Sequence, residues 1–353
     1  MKLLITGASG FLGQYVVLAA LQRGHQVCAV IRPSTNERRL LWYGHPAVEV
    51  TCLDLTQQNV LSDVLKGIDA VIHLVASKTG DFDTQYANTV AATQTLLEEI
   101  ADYQVLRLVA ISTFSVYDYI NIPSGATVDE TSLIVKESKH RDVYTQVKLL
   151  QENLFRRFEE ENKGQVTIIR PGMIYGRDHL WNALLGLKVS DHLWLRIGGN
   201  AQIPLTYVEN CAEAIVLAVE CNQTIGETIN IVDDDLPTQK VYADKISRLM
   251  PQSPYTIPIN WTAMRLLTQL IWLCNQSLLS GKIRLPGILI PERLHARFKP
   301  LTYTNARARQ LLNWQPKYAL DTALKRSCSN VELPNLQCNL TLESSSLPTQ
   351  SLK

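Results

Sequence analysis

Leu3-Leu4-Ile5-Thr6-Gly7-Ala8-Ser9-Gly10-Phe11-Leu12-Gly13 sets the fold class of this chain. Residues 3–6 are apolar or β-branched, as in a buried strand, and an apolar stretch of helical length follows through residue 23. Between them the glycines fall at a Gly-x-x-Gly-x-x-Gly spacing. Gly7 suits the tight turn after the strand, Gly10 lets the backbone approach a pyrophosphate, and Gly13 lets the helix lie close to the sheet. Unpaired N–H groups and the positive end of the helix dipole then meet at one point, which favours phosphate. Three spaced glycines are a weak motif alone. In the first strand–turn–helix unit they imply dinucleotide binding, with Gly7, Ser9, Gly10, Phe11, Leu12 and Gly13 as candidate contacts.

The alternation continues outward. Residues 26–31, 49–53, 70–73, 107–111 and 166–170 read as buried strands, with a seventh at 228–232. Helices are expected at 12–23, 59–65, 84–101 and 142–161. Such alternation implies right-handed crossovers and a parallel sheet covered on both faces. The fold class is α/β, a Rossmann-type doubly wound parallel sheet with a smaller C-terminal substrate lobe. Past Arg170 the rhythm is broken by Pro171, Gly172, Gly176, Gly198, Gly199 and Pro204. The expected division is a nucleotide unit of residues 1–170 and 206–232, a substrate lobe of 171–205 and 233–328, and a disordered tail of 329–353 with no aromatic residue.

Composition narrows the function. The 353 residues are 46% hydrophobic and 19% charged, enough apolar material for a sizeable core. Lys and Arg number 34 against 33 Asp and Glu, a formal charge of +1, so no nucleic-acid partner is expected. Seven scattered cysteines without a Cys-x-x-Cys read as reduced thiols in a cytoplasmic protein, with neither a disulfide framework nor a metal site. The opening apolar run breaks at Thr6-Gly7, too early for a signal peptide. Residues 261–274 form the most membrane-like stretch, but Arg265, Thr268 and Gln269 interrupt it, so no transmembrane span is expected. Its apolar members Met264, Leu267, Leu270, Ile271 and Cys274 recur at helical spacing. That pattern fits either a helix packed on the substrate lobe or a peripheral membrane contact.

The end of the second strand separates the two nicotinamide cofactors. An NAD site usually carries an acid there for the ribose hydroxyl, whereas this chain has Val30-Ile31-Arg32-Pro33-Ser34 and no acid before Glu37. Arg32 can face a 2′-phosphate, which favours NADP(H) over NAD(H); the plainer alternative is a solvated arginine. Asp54, just after the third strand, is placed either to accept from the adenine amino group or to cap its own loop. Leu55 beside it, and Ala76 after the fourth strand, are further candidate cofactor contacts.

Tyr144-Thr145-Gln146-Val147-Lys148 puts a phenol and an ammonium four residues apart on one helix face. A phenol with pKa near 10 relays protons poorly at neutral pH, and a nearby cation lowers it. Tyr103/Arg107 and Tyr303/Arg307 share the spacing, so position has to decide. Only Tyr144 follows a fifth strand ending in Ser112-Thr113, whose hydroxyl can hold a substrate oxygen beside the phenol.

With these residues in place the chain resembles the extended short-chain dehydrogenases/reductases of the NAD-dependent epimerase/dehydratase superfamily, over about residues 1–326. The matching segments are the residue 6–13 loop, Val71-Ile72-His73-Leu74-Val75-Ala76, Ile111-Ser112-Thr113-Phe114-Ser115-Val116-Tyr117, the Tyr144/Lys148 pair and Arg170-Pro171-Gly172-Met173-Ile174-Tyr175-Gly176. The resemblance implies Tyr144 as proton donor or acceptor, Lys148 as its tuner and as a cofactor ligand, Thr113 as orienter of the substrate oxygen, and Pro171 beside the cofactor. It also implies a homodimer. The family's helix often carries Asn four residues before a Thr; here that position is Thr89, next to Asn88, and the role stays unassigned. Asp118 and Val75 stand where Gly and Ala are usual.

Two absences bear on the substrate. Nucleotide-sugar members commonly have Asn where this chain has Met173, and Arg-Asp where it has Ile203-Pro204. Met and Ile cannot clamp a diphosphate. Met173 and Tyr175 become candidate contacts to an apolar substrate, with core packing the alternative for Met173. Residues 301–316 resemble the ending of the 3β-hydroxysteroid dehydrogenase-like branch. The expected activity is interconversion of a secondary alcohol and a ketone on a hydrophobic small molecule, sterol-like or acyl-derived. The alternatives are a nucleotide-sugar epimerase or dehydratase, a flavanone-type or aldehyde reductase, and a non-catalytic nucleotide-binding scaffold.

Overall fold

The computed structural model describes residues 1–181, 183–190, 192–249, 254–278, 280 and 282–329. All but the first residue of the expected tail lies outside the described residues. The central sheet holds seven parallel strands: β1 (Lys2–Thr6), β2 (Gln26–Ile31), β3 (Val48–Cys52), β4 (Ala70–His73), β5 (Arg107–Ile111), β6 (Gln165–Pro171) and β7 (Thr228–Ile231). Their spatial order is β7-β6-β5-β4-β1-β2-β3, so the direction of winding reverses between β1 and β4. At such a switch point the loops leaving the C-terminal strand ends diverge and leave a crevice.

Strand alternation feeds two cores. Leu3, Ile5, Ala29, Ile31, Ile72 and Val109 face one layer, where they meet Val16, Val17 and Ala20 of α1 (Phe11–Gln22). Leu4, Val30, Val71, Leu108 and Ala110 face the other, against Leu96 and Ile100 of α2 (Ala92–Asp102) and Phe155 and Phe158 of α3 (Val143–Asn162). The inner strands β1, β4 and β5 are covered on both sides and read as nearly continuous apolar runs, whereas edge strand β3, Val48-Glu49-Val50-Thr51-Cys52, stays partly exposed. On the first layer α1 lies beside α4 (Val208–Glu220), which contributes Ala212, Ile215, Val216 and Val219.

Two expected helices differ. Residues 59–65 form turns, with Asn59 in the left-handed region at φ 57°. The Val60 and Leu61 amides are satisfied by the buried Glu99 carboxylate, at 3.2 and 2.8 Å. The segment 84–101 is not one regular helix: a π-helical turn, Ala87–Ala91, separates Phe82–Tyr86 from α2. The wider turn aims Thr89 at the loop after β4, where its hydroxyl accepts from the Ser77 amide at 2.9 Å.

Beyond β6 the chain builds smaller units. Met173–Tyr175 pairs with Leu205–Tyr207, and Leu187–Ser190, Leu193–Ile197 and Tyr255–Ile259 form a three-stranded sheet. Tyr175, Trp194, Ile203, Tyr207 and Tyr242 centre a third core. One boundary moves: Ala308, Leu312 and Trp314, expected in the substrate lobe, join the core of the nucleotide unit beside α4. Trp314 is fully buried there, and an indole of that size decides which unit its segment belongs to. The six described cysteines carry free thiols. Among the described residues no helix is long and apolar enough to cross a membrane.

Candidate active site

The glycine loop has the shape its spacing predicts. Gly7 adopts φ 73°, and Gly10 donates its amide to the Gly7 carbonyl at 3.0 Å while forming the N-cap of α1 without any side chain. A Cβ on Gly13 would stand 2.1 Å from the Gly7 carbonyl oxygen, so only glycine permits α1 to start this close to the sheet. Facing the loop is a cleft of about 240 Å³, lined by Gly7, Ser9 and Gly10 together with Arg32, Asp54, Leu55 and Ala76. A bare helix N-terminus beside such a cleft fits the pyrophosphate of a dinucleotide.

The other expected cofactor residues take different places. Arg32 reaches across the cleft to the Asn88 side-chain oxygen at 3.3 Å. Asp54 accepts from the Thr56 amide at 3.0 Å and the Thr56 hydroxyl at 2.8 Å, which hold its carboxyl below the usual range; it caps its own loop. Phe11 stacks on His179 with centroids 4.0 Å apart, and Leu12 packs into the core, so neither lines the cleft. Pro171 ends β6 in register with Ile231.

Ala76 lines this cleft, and Tyr144 lies in the first turn of α3. Asp142 caps α3 by accepting from the Thr145 amide at 3.0 Å, which fixes Tyr144 in the first turn and Lys148 one turn on. Thr113 follows β5, its hydroxyl accepting from the Ser115 amide at 3.2 Å. Burial pushes the Tyr144 phenol up to about 12; its hydrogen bond with Thr113 pulls the other way, and the Asp142 charge adds to the rise. The Lys78 ammonium lies 5.5 Å from the Tyr144 ring centroid and makes no hydrogen bond or ion pair with another described residue.

Lys148 is held by two acceptors. Its ammonium donates to the Ile111 carbonyl at 2.5 Å and to the Gln151 side-chain oxygen, and it is not among the groups that move the phenol. Burial lowers it to about 7, with Glu152 opposing and Lys78 assisting. A buried polar chain continues inward. Gln151 donates to Thr93 at 2.7 Å and to the Val75 carbonyl at 3.0 Å; Thr93 donates to the Thr89 carbonyl and so accepts from His73 Nε2 at 2.9 Å. His73 Nδ1 then accepts a hydrogen bond from the Thr6 hydroxyl at 2.7 Å. Burial, helped by the Lys148 charge, drops this imidazole to about 3, so it is neutral.

A second network holds the Ser112-Thr113 strand end against α3. Buried Glu152 accepts from Ser112 at 2.6 Å, from Arg156 at 3.0 Å and from Arg170. Arg170 continues to Tyr117, whose hydroxyl donates to Asn230 at 2.7 Å. Sequence reading missed Glu152, Gln151 and His73 as site residues. For Glu152 the signal was available, since it lies another four residues along the Tyr144/Lys148 face. Met173 is half-buried at the edge of the third core, and Tyr175 is fully buried within it, its hydroxyl turned to Asp233 at 3.5 Å.

Residues 3–232 match the model of the NAD dependent epimerase/dehydratase family. The mouse (Mus musculus) sterol-4-alpha-carboxylate 3-dehydrogenase, decarboxylating, is 27% identical over 339 residues, covering 92% of this chain and 90% of the mouse protein. A 2-alkyl-3-oxoalkanoate reductase of Stenotrophomonas maltophilia is 28% identical over 225 residues, 62% of this chain and 66% of its own. Among solved structures, a UDP-glucuronic acid 4-epimerase from Bacillus cereus, in complex with UDP-glucuronic acid and NAD, superposes with a TM-score of 0.69 at 23% identity, covering 95% of this chain and all of that one. That last likeness establishes the fold. The family match spans well over half of the sequence and includes both the glycine cleft and Tyr144, and the chain belongs to the NAD-dependent epimerase/dehydratase family as an NAD-dependent dehydrogenase/reductase enzyme.

Proposed function

We propose that this enzyme interconverts a secondary alcohol and a ketone on a hydrophobic substrate, sterol-like or acyl-derived, with NADP(H) preferred. The reading is carried by two observations together, the cleft whose floor is the glycine loop and the Thr113 hydroxyl close enough to the Tyr144 phenol to lower it. Gly7, Ser9 and Gly10 hold the dinucleotide pyrophosphate, Arg32 the 2′-phosphate, and Tyr144 and Lys148 the nicotinamide end. Bound there, the cofactor supplies hydride to a carbonyl carbon or takes it from an alcohol. Thr113 donates to the reacting oxygen and fixes it beside the phenol, and Tyr144 gives that oxygen a proton in reduction or removes one in oxidation. Lys148, fixed by Ile111 and Gln151, sits one helical turn from the phenol and carries positive charge in its protonated form.

The relatives named above, one acting on a sterol carboxylate and one on an oxoalkanoate, support the apolar substrate class. So does Ile203, buried in the third core at a position where nucleotide-sugar enzymes tend to carry a phosphate-binding arginine. In this reading residues 171–205 and much of 233–328 form the substrate lobe. The enzyme works as a cytoplasmic homodimer joined through the long helices flanking the sheet.

The test is turnover of 3-oxoacyl and 3-ketosteroid substrates with NADPH and NADH, by wild type and Tyr144→Phe. The variant should bind dinucleotide normally and lose roughly 10²–10⁴-fold in kcat. Near-normal turnover removes Tyr144 as the acid. Tight binding of a nucleotide sugar overturns the substrate class, and failure to bind either dinucleotide favours a scaffold. Arg32→Asp should shift preference towards NADH; an unchanged ratio of efficiencies removes Arg32 as the phosphate reader.

A further inference from the structure

The helix Trp261–Leu278 is built inside out. It buries Met264, Thr268 and Asn275, while Leu266, Leu267, Leu270, Leu273 and Leu278 are 53, 50, 62, 54 and 79% exposed. Its polar buried residues anchor the following loop: Thr268 donates to the Ile288 carbonyl at 3.3 Å, and Asn275 exchanges hydrogen bonds with the Ile283 backbone at 3.0 and 3.3 Å. A helix settled on a protein core in water turns its leucines inward. Here Leu266, Leu270 and Leu273 recur at four- and three-residue steps along the outer face, and Ile283, 52% exposed, extends the apolar surface.

Charge identifies the occupant. Residues 261–291 contain Arg265, Lys282 and Arg284 and not one Asp or Glu. All three cations are exposed, and none forms an ion pair with another described residue. We propose that this face docks in the interface plane of an anionic lipid bilayer, leucines at the acyl boundary and the three cations among the headgroups. A second copy of the chain fits less well, because a two-fold interface on this face would bring together three cations from each copy with no acid in residues 261–291 to pair them.

The face lies next to the proposed catalytic machinery. Trp272 meets His140 edge to face with centroids 5.1 Å apart. Arg293, on the neighbouring helix Pro291–Phe298, donates to the His140 and Arg141 carbonyls, both at 3.0 Å, immediately before the Asp142 cap of the Tyr144 helix. Docking therefore brings the approach to Tyr144 to the lipid, where an apolar substrate resides. This role in substrate delivery rests on the proposed function; the docking itself does not.

The test uses the full chain with phosphatidylcholine vesicles, plain or containing phosphatidylserine. Wild type should co-sediment with the anionic vesicles and weaken as salt rises. The triple variant Leu266→Gln/Leu270→Gln/Leu273→Gln should lose binding at least about tenfold while keeping its circular dichroism and its turnover of a water-soluble ketone. Arg265→Glu/Lys282→Glu/Arg284→Glu should abolish the preference for anionic vesicles. Wild type left in the supernatant with both vesicle types overturns the proposal. So does a solution dimer that the leucine variant dissolves, since the face would then join two copies. Failure of ketone turnover with docking intact counts against the proposed function alone.

Discussion

Lys148 spends its ammonium on Gln151 and on the Ile111 carbonyl, and none of its hydrogen bonds goes to Tyr144. Burial lowers its pKa to about 7, opposed by the Glu152 charge, and these two acceptors are the hydrogen-bond partners that hold the ammonium. Gln151→Leu removes one buried acceptor, so the lysine should lose its proton at a lower pH and the alkaline limb of kcat/KM should move down. Gln151→Glu adds a negative neighbour and should move that limb up. The pH profile checks both; profiles that coincide with wild type would show that Lys148 does not govern the limb.

The sheet, its parallel pairing and the glycine cleft were legible in the sequence because each depends on local pattern, such as the apolar runs of β1 and β4 or the spacing of Gly7, Gly10 and Gly13. Partners far apart along the chain were not. Glu99 capping the amides at residues 60 and 61, and Gln151 reaching Thr93, are settled by tertiary approach. The four-residue step from Tyr144 to Lys148 put both on one helix, yet could not reveal that the ammonium donates to Gln151 and to the Ile111 carbonyl. Trp314 returns to the nucleotide core for a similar reason: its segment packs against α4 and β7, an approach that no local pattern discloses.

His73 should make stability fall in mild acid. Its folded pKa of about 3 lies below the ordinary 6.5, so the unfolded chain binds the extra proton between those values. Stability is fully present above the unfolded value and declines as pH drops towards 3, by at most about 1.4 kcal/mol for each pH unit in that window. His73→Gln should flatten the difference in urea midpoint between pH 7 and pH 4.5. An unchanged difference would assign the acid sensitivity to carboxylates instead.

Glu152 holds three cationic or hydroxyl partners in a buried place, and those partners outweigh the burial that would raise its carboxyl. Glu152→Gln leaves the Arg170 guanidinium charged and uncompensated, at a cost of roughly 3–5 kcal/mol in chemical denaturation. A double change, Glu152→Gln with Arg170→Met, should recover part of that loss, because no lone buried charge is left. If the single variant is as stable as wild type, the pair is not what fixes Ser112 against α3.

Gly10 and Gly13 should fail in different ways when each is changed to alanine. At Gly13 the new Cβ meets backbone, 2.1 Å from the Gly7 carbonyl oxygen and 2.9 Å from Ala8 Cα, so α1 must lift away from the sheet. Overpacking of that kind costs about 3 kcal/mol or more and should lower Tm together with dinucleotide affinity. At Gly10 the nearest contact is 3.2 Å, φ is an ordinary −69°, and the protein can yield by a few tenths of an ångström. The methyl group then lies at the helix N-terminus beside the cleft, where phosphate has to approach. Gly10→Ala should therefore melt near the wild-type temperature and still bind NADPH much more weakly, as read by fluorescence titration. Full affinity in a stable Gly10→Ala protein would mean that the pyrophosphate does not rest on this loop, and the placement of the nicotinamide beside Tyr144 would fail with it.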